Sequence, residues 1–194
     1  MIVIKSLEKK ILAEGKVYPG NVLKVGSFLN HQLDVDFLME MGEEIARLYK
    51  DCKISKILTI ETSGIAIAFA AATKLHVPVV FAKKSKSLNI SSNVYTTQVT
   101  SYTYNKEYKV VVEKDFLNEG DIVLIVDDFL ASGCALEGLM DLAKQAGAKV
   151  AGITVAIEKG FQKGGDKLRA QGIRVESLAI IDSMNEPDIV FREQ

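Results

Sequence analysis

The sequence predicts an α/β fold with a doubly wound, mainly parallel sheet. Near-continuous apolar runs of strand length, SKILTI, VPVVFA, DIVLIV and KVAGITVAI, alternate with the helical patterns AIAFAAATKL and ALEGLMDLAKQAGA. Strands that are apolar at successive positions, rather than at every second one, are those covered by helices on both faces. The 194 residues, 48% of them hydrophobic, suffice for one substantial core. No repeat, low-complexity stretch or linker divides them, so one domain is expected over 1–194.

The elements follow in order. SLEKKILAEGK carries apolar residues at helical spacing and predicts a short amphipathic helix ended by Gly15. NVLKVGSFLNHQLD reads half as strand and half as loop. VDFLMEMGEEIARLYKD predicts a helix whose apolar stripe includes Phe37, Leu38, Met41, Ile45 and Leu48. A strand over 56–61, a tight turn, a small-residue helix over 65–75 and a strand over 78–82 make a βαβ unit. The next stretch is rich in Ser, Thr, Asn and Tyr with period two. It predicts one or two antiparallel strands and a polar connection at about 84–93. A strand over 122–126, the ALEGLMDLAKQAGA helix and the KVAGITVAIEK strand form a second βαβ unit. GFQKGGDKLRAQGIRVESLAIID adds a short helix and a last strand.

Composition narrows the function classes. The chain has 24 basic and 25 acidic residues, a net charge of -1, and lacks the basic excess of a protein that coats nucleic acid. Cys52 and Cys134 stand far apart without a CxxC, which gives neither a metal cluster nor a disulfide framework and suits a reducing compartment. No run approaches the roughly 20 apolar residues of a membrane span, and the N-terminal pattern is not a signal peptide. A cytoplasmic protein with no nucleic-acid or membrane partner is expected.

Ligands of open parallel sheets bind at the carboxyl ends of strands, where strand order reverses. VLIVDDFLASGCALEGL, residues 123–139, runs from an apolar strand into adjacent Asp127 and Asp128. If the strand ends at Val126, both carboxylates lie on the rim of the sheet, where they repel each other and need a partner. Ala131, Ser132 and Gly133 then turn into a helix beginning near Cys134, whose free N–H groups suit a phosphate. Carboxylates accept from vicinal hydroxyls such as those of a ribose, so the stretch reads as a sugar-phosphate site. Spacing leaves a second reading open, in which both are rim and cap residues of an ordinary loop. The G-x-x-x-x-G-K-[ST] and G-x-G-x-x-G motifs are absent here. ETSG offers backbone donors at Thr62, Ser63 and Gly64, or simply a helix N-cap. Lys83, Lys84 and Lys86 read on their own as a solvated basic face. His31 and His76 are too distant in sequence to suggest a metal pair. Tyr95, Tyr102, Tyr104 and Tyr108 read as strand residues, some of them candidates for a lid.

VLIVDDFLASGCALEGL resembles the phosphoribosyl-pyrophosphate motif of the type I phosphoribosyltransferases. IETSGIAIA is similar to that family's pyrophosphate loop, and VPVVFAKKSKSL to the strand and basic segment of its adenine and xanthine enzymes. VLKVGSFLNHQLD and IEKGFQ resemble the base-binding elements of its bacterial xanthine-converting members. The resemblance covers essentially the whole chain. It implies the type I phosphoribosyltransferase fold, with a core at about 37–157 and a small base-binding hood from about 1–36 and 158–194. It implies a pentosyltransferase moving the phosphoribosyl group to a purine nitrogen, with xanthine the expected base. Asp127 and Asp128 would be the catalytic pair on the ribose hydroxyls, and Ala131, Ser132, Gly133, Cys134 and Ala135 would hold the 5-phosphate. Thr62, Ser63 and Gly64 would face the pyrophosphate, with Lys83 and Lys84 reaching it across a homodimer interface. Related enzymes often carry Arg at the first lysine position, whereas Lys83 is a point charge. Mg2+ would bind mainly through substrate oxygens, with no metal ligand expected from the protein. For the purine, Lys159 would donate to the 6-oxo region, Asn30 to a 2-oxo group, and Leu23 and Phe161 would pack on the ring. Two alternatives stay open. One is a hypoxanthine or guanine enzyme, since a flipped Asn30 amide can accept from a 2-amino group. A non-catalytic regulator sensing the ribosyl donor would normally add a winged-helix segment before these elements.

Overall fold

The computed structural model describes residues 2–85, 93–101, 106–185 and 188–193. Helix α1 (Ile2–Glu14) buries Leu7 and Ile11 and stops at Gly15, whose N–H donates to Ile11 O at 2.8 Å. A two-stranded hairpin follows, β1 (Lys16–Tyr18) and β2 (Val22–Lys24), turning through Gly20 and Asn21 at positive φ. A π-helical turn over Gly26–Asn30 buries Phe28 and Leu29 and leaves Asn30 exposed. Helix α2 (Val35–Leu48) starts at Asp34, whose carboxylate caps it by accepting the Phe37 N–H. Its stripe is as the periodicity predicts: Phe37, Leu38, Met41 and Ile45 are buried and Leu48 partly so.

The main sheet contains β3 (Lys56–Ile60), β4 (Val79–Ser85), β5 (Val94–Ser101), β6 (Lys106–Glu113), β7 (Ile122–Leu130), β8 (Lys149–Lys159), β9 (Val175–Asn185) and β10 (Asp188–Phe191). Among the described residues its order is β10-β9-β8-β7-β3-β4-β6-β5. The run from β9 to β4 is parallel, and β10, β6 and β5 are antiparallel additions. Helices α3 (Gly64–Leu75), α4 (Cys134–Gln145) and α5 (Gly164–Ala170) complete the fold. Neighbours in one strand face opposite ways. Ile57, Leu124 and Val126 pack with α1, α2 and α3, whereas Leu58, Val123 and Ile125 pack with α4, so both faces are covered. Gly42 lets α2 lie directly on α3, since a methyl there would be 2.5 Å from Ala70 O.

Two expectations change, and a third is narrowed. The strand expected over 122–126 continues to Leu130, because its backbone stays paired with β8 as far as Leu130↔Glu158 and Leu130 is itself buried. The short strands β1 and β10 are additional, each paired with one antiparallel neighbour. The polar stretch resolves into two antiparallel strands, β5 and β6, paired through eight residues each. Lys86, Tyr102, Tyr104 and most of the expected 84–93 connection lie outside the described residues.

Candidate active site

Strand order reverses between β3 and β7: the connection after β3 leads to β4 on one side, and that after β7 leads to β8 on the other. β7 outruns β3 at this point. Its pairing with β3 ends at Leu58↔Ile125, while its pairing with β8 continues beyond. The last residues of β7 therefore have a partner on one side and a cleft on the other. Asp127 and Asp128 lie there, inside the strand rather than after it.

The strand's alternation separates the two carboxylates. Asp127 is buried, 6% exposed, and its Oδ1 accepts the Asp128 N–H at 2.9 Å. Asp128 is half-buried; its Oδ1 accepts the Phe129 N–H at 3.0 Å and its Oδ2 accepts the Asn30 side-chain amide at 3.2 Å. Burial, and then the neighbouring Asp128 charge, hold the Asp127 carboxyl well above the usual carboxylate range. Such a group is poised for a partner that offers hydroxyls or positive charge.

The ETSG turn meets this pair. A methyl on Gly64 would lie 2.7 Å from Asp127 Oδ1 and would also run into the buried Thr59 hydroxyl, so only glycine lets α3 start against the acidic strand. Thr62 is exposed and Ser63 half-exposed beside it, and the Glu61–Thr62 peptide is cis. The Glu61 carboxylate accepts the Lys84 N–H, tying this turn to the end of β4. Lys83 and Lys84 are both exposed there, with Lys84 Nζ 5.2 Å from the centre of the Tyr108 ring.

Residues 131–133 form the expected turn into α4, which begins at Cys134, with Gly133 at φ 91. Ser132 Oγ donates to Cys134 Sγ at 3.3 Å. Ala131, Ser132, Gly133, Cys134 and Ala135 line a cavity of about 150 Å³ together with Thr100, Tyr108 and Phe129. Burial, followed by the charges of Asp127 and Cys134, pushes the Tyr108 hydroxyl up. Thr100, Tyr108 and Phe129 are absent from the sequence-predicted set. Period-two alternation placed Tyr108 on a strand, but which tertiary face it met was not a local property. Phe129 was hidden by the assumption that β7 ended at Val126.

The residues expected at the purine are placed as follows. Lys159 ends β8 and donates to Asn21 O at 2.8 Å, with its Nζ 5.6 Å from the centre of the Phe129 ring. Burial lowers its pKa. Asn30 reaches the same region through Asp128. Phe161 is half-buried in the turn after β8, and Leu23 is buried in β2 as part of the core. Among the described residues no group of three or more His, Cys, Asp or Glu side chains is arranged to hold a metal, and no helix is long and apolar enough to cross a membrane.

Comparison with known proteins identifies the family. Residues 26–185 match the family described as the phosphoribosyl transferase domain. The chain is 55% identical over 188 residues to a xanthine phosphoribosyltransferase of Lachnoclostridium phytofermentans, covering 96% of this chain and 97% of that one. It is 54% identical to xanthine phosphoribosyltransferase 1 of Clostridium perfringens, covering 97% and 100%. In structure it is similar to adenine phosphoribosyltransferase from Rhodothermus marinus, with a TM-score of 0.74 at 21% identity over 92% of this chain and 98% of that one. The fold is therefore that of the type I phosphoribosyltransferases, and likeness over nearly the full length of its relatives places the chain in the phosphoribosyltransferase family.

Proposed function

We propose that the protein transfers the 5-phosphoribosyl group from phosphoribosyl pyrophosphate to xanthine, giving xanthosine 5'-monophosphate and pyrophosphate in purine salvage. The full-length similarity to xanthine phosphoribosyltransferases carries this reading. In it, Asp127 and Asp128 accept the ribose hydroxyls, and 131–135 bind the 5-phosphate with backbone N–H groups, the Ser132 hydroxyl and the start of α4. Thr62, Ser63 and Gly64 face the departing pyrophosphate. These groups act by holding the reactants in line and stabilising charge on the leaving group, so no protein nucleophile is needed. Lys159 donates to the 6-oxo side of the purine. Asn30, held by Asp128, presents its amide to the 2-oxo side, and Phe129 and Phe161 supply apolar contact, with Leu23 behind them. The chain works as one domain, with 1–36 and 158–194 forming a hood on a core of about 37–157; the Lys159–Asn21 bond joins the two flanking segments.

The acidic pair fits a divalent cation carried by the substrate, because a buried carboxyl with a raised pKa beside a second carboxylate is satisfied by added positive charge. Asp127 and Asp128 would be the residues beside a substrate-borne Mg2+, which would supply positive charge for the leaving pyrophosphate.

A homodimer in the cytoplasm completes the reading. Leu33, Val35 and Phe69 are exposed at 47%, 64% and 63% around an apolar cleft of about 560 Å³ that also includes Thr62 and Ser63. In such a dimer Lys83 and Lys84 of one copy are assigned to the pyrophosphate of the other. The test is turnover with Mg2+, phosphoribosyl pyrophosphate and each purine in turn, with sedimentation run in parallel. Xanthine turning over fastest in a dimeric species is expected. Faster turnover of another purine refutes the base assignment, and a fully active monomer refutes the shared site.

A further inference from the structure

Glu158 is the second-last residue of β8, next to Lys159, and is wholly buried. Its two oxygens accept a forked pair from Arg169, Nη1 to Oε1 at 2.9 Å and Nη2 to Oε2 at 2.7 Å, and Ser177 Oγ donates to Oε2. Arg169 Nε also donates to Val175 O at 3.3 Å. Glu158 is the fully buried partner and Arg169 the half-buried one, and an ion pair with a buried carboxylate is often matched in stability by apolar replacements of equal volume. Its value must be sought in what it fixes.

It fixes two things that face substrate. The first is Lys159, one residue along the strand. The second is reached through α5. Gly165 lies against the Glu158 carboxylate, and a methyl there would also be 2.7 Å from Arg169 Nη1. The residue before it, Gly164, donates its N–H to Ala131 O at 3.1 Å. A methyl on Gly164 would lie 2.7 Å from the Ser132 carbonyl carbon and 2.9 Å from Gly133 N. The start of α5 thus presses directly on the backbone of the 131–133 loop, and the same start is pinned to Glu158.

We propose that Glu158, held by Arg169 and Ser177, is a positioning residue that sets the 5-phosphate loop and Lys159 at a fixed separation. The proposal deepens the phosphoribosyl-transfer reading and rests on it. Neither Glu158 nor Arg169 touches substrate; both act through Gly164 and Lys159. Losing the pair loosens both binding sites together, whereas disturbing Gly164 disturbs the phosphate loop alone.

The test is steady-state kinetics on the full chain well below its melting temperature, with thermal midpoints measured on the same samples. Arg169→Lys keeps the charge and loses the fork; it should raise KM for donor and for xanthine together, on the order of tenfold. Ser177→Ala, a milder change that leaves the ion pair, should move both in the same direction by about fivefold. Gly164→Ala should raise the donor KM and leave the xanthine KM unmoved. Arg47→Lys is the control: that arginine forks onto Glu44 within α2, on a separate element from β8, β9 and α5, and should move neither. If Arg169→Lys and Ser177→Ala lower the thermal midpoint while both KM values stay at the wild-type level, the pair is merely structural and the proposal falls. It falls also if Gly164→Ala leaves the donor KM unchanged. Calorimetric binding of phosphoribosyl pyrophosphate to the same variants reads the loop without turnover. A wild-type protein inactive with xanthine would therefore overturn the functional reading, and the calorimetry would still decide this one.

Discussion

Replacing Asp127 by Asn should make the protein more stable and nearly inactive at once. Asp127 is 6% exposed, and among the described residues it forms no salt bridge; the one donor to its Oδ1 is the Asp128 N–H. Burial and the adjacent carboxylate both oppose its ionisation. An Asn keeps an oxygen for the Asp128 N–H and removes the charge. Relief of this kind at a functional site typically contributes about 1–2 kcal/mol. For a chain of this length each kcal/mol moves the melting point by about 2–4 °C, so a rise of roughly 2–8 °C is expected without ligand. The gain depends on pH with a definite sign. Because the folded state holds the Asp127 proton more tightly than the unfolded chain, the wild type pays no ionisation penalty below the unfolded carboxylate pKa of about 3.9. The penalty grows as pH rises from there through the raised folded pKa, and is complete above it. Thermal melts of both proteins near pH 4 and near pH 8, without substrate, should show the two midpoints converging at the acid end and the variant ahead at the other. Turnover of the variant should fall by about a hundredfold or more, since the ribose hydroxyls lose a charged acceptor. A variant that melts below the wild type near pH 8, or that leads by the same margin at both ends, would refute the reasoning.

Three further outcomes are expected. Asp128→Asn should lower turnover strongly, by about a hundredfold, with donor titrations confirming weaker binding; unchanged turnover would remove Asp128 from the ribose contact. Burial depresses the Lys159 pKa, so its ammonium is lost at a lower pH than that of an ordinary lysine. The wild-type affinity for xanthine should therefore decline on the alkaline side relative to that of Lys159→Gln, whose side chain does not titrate; parallel pH profiles of the two proteins would contradict the assignment. Tyr49→Phe removes a buried hydroxyl that donates to Ile153 O at 2.9 Å, far from the site. Chemical denaturation should show a loss of about 1 kcal/mol, with kinetics at the wild-type level.

The parts of the site that are local in sequence were legible from it. A strand that turns acidic, three small residues and a helix start are adjacent in the chain, and the structure places them as one unit with α4 beginning at Cys134. The helix stripe of α2 was legible for the same reason. The contacts that give the site its geometry join distant residues. Asn30 meets Asp128 across 98 positions, and Lys159 meets Asn21 across 138. No periodicity encodes such pairs, and nothing local singles out Glu158, because a buried carboxylate is recognisable only once its arginine is in place. The end of β7 was misread on a sound local rule, that two carboxylates do not continue an apolar strand. Backbone pairing with β8 overrode it.

That override explains how the site holds its acidic pair. Had the strand ended at Val126, both carboxylates would sit on a loop, free to turn toward water and each other. Kept inside β7, they are held by backbone pairing to β8 on one edge and lie open on the other, where β3 has already turned away into ETSG. The alternation of the strand sends Asp127 into the protein beside Gly64 and leaves Asp128 to meet Asn30. Water is excluded from one carboxylate and a neutral amide is bound to the other, and among the described residues neither forms a salt bridge; the Lys84 charge only partly offsets the burial of Asp127. The sheet supplies the rigidity that lets this unfavourable arrangement persist, and the reversal of strand order supplies the gap through which it can be satisfied.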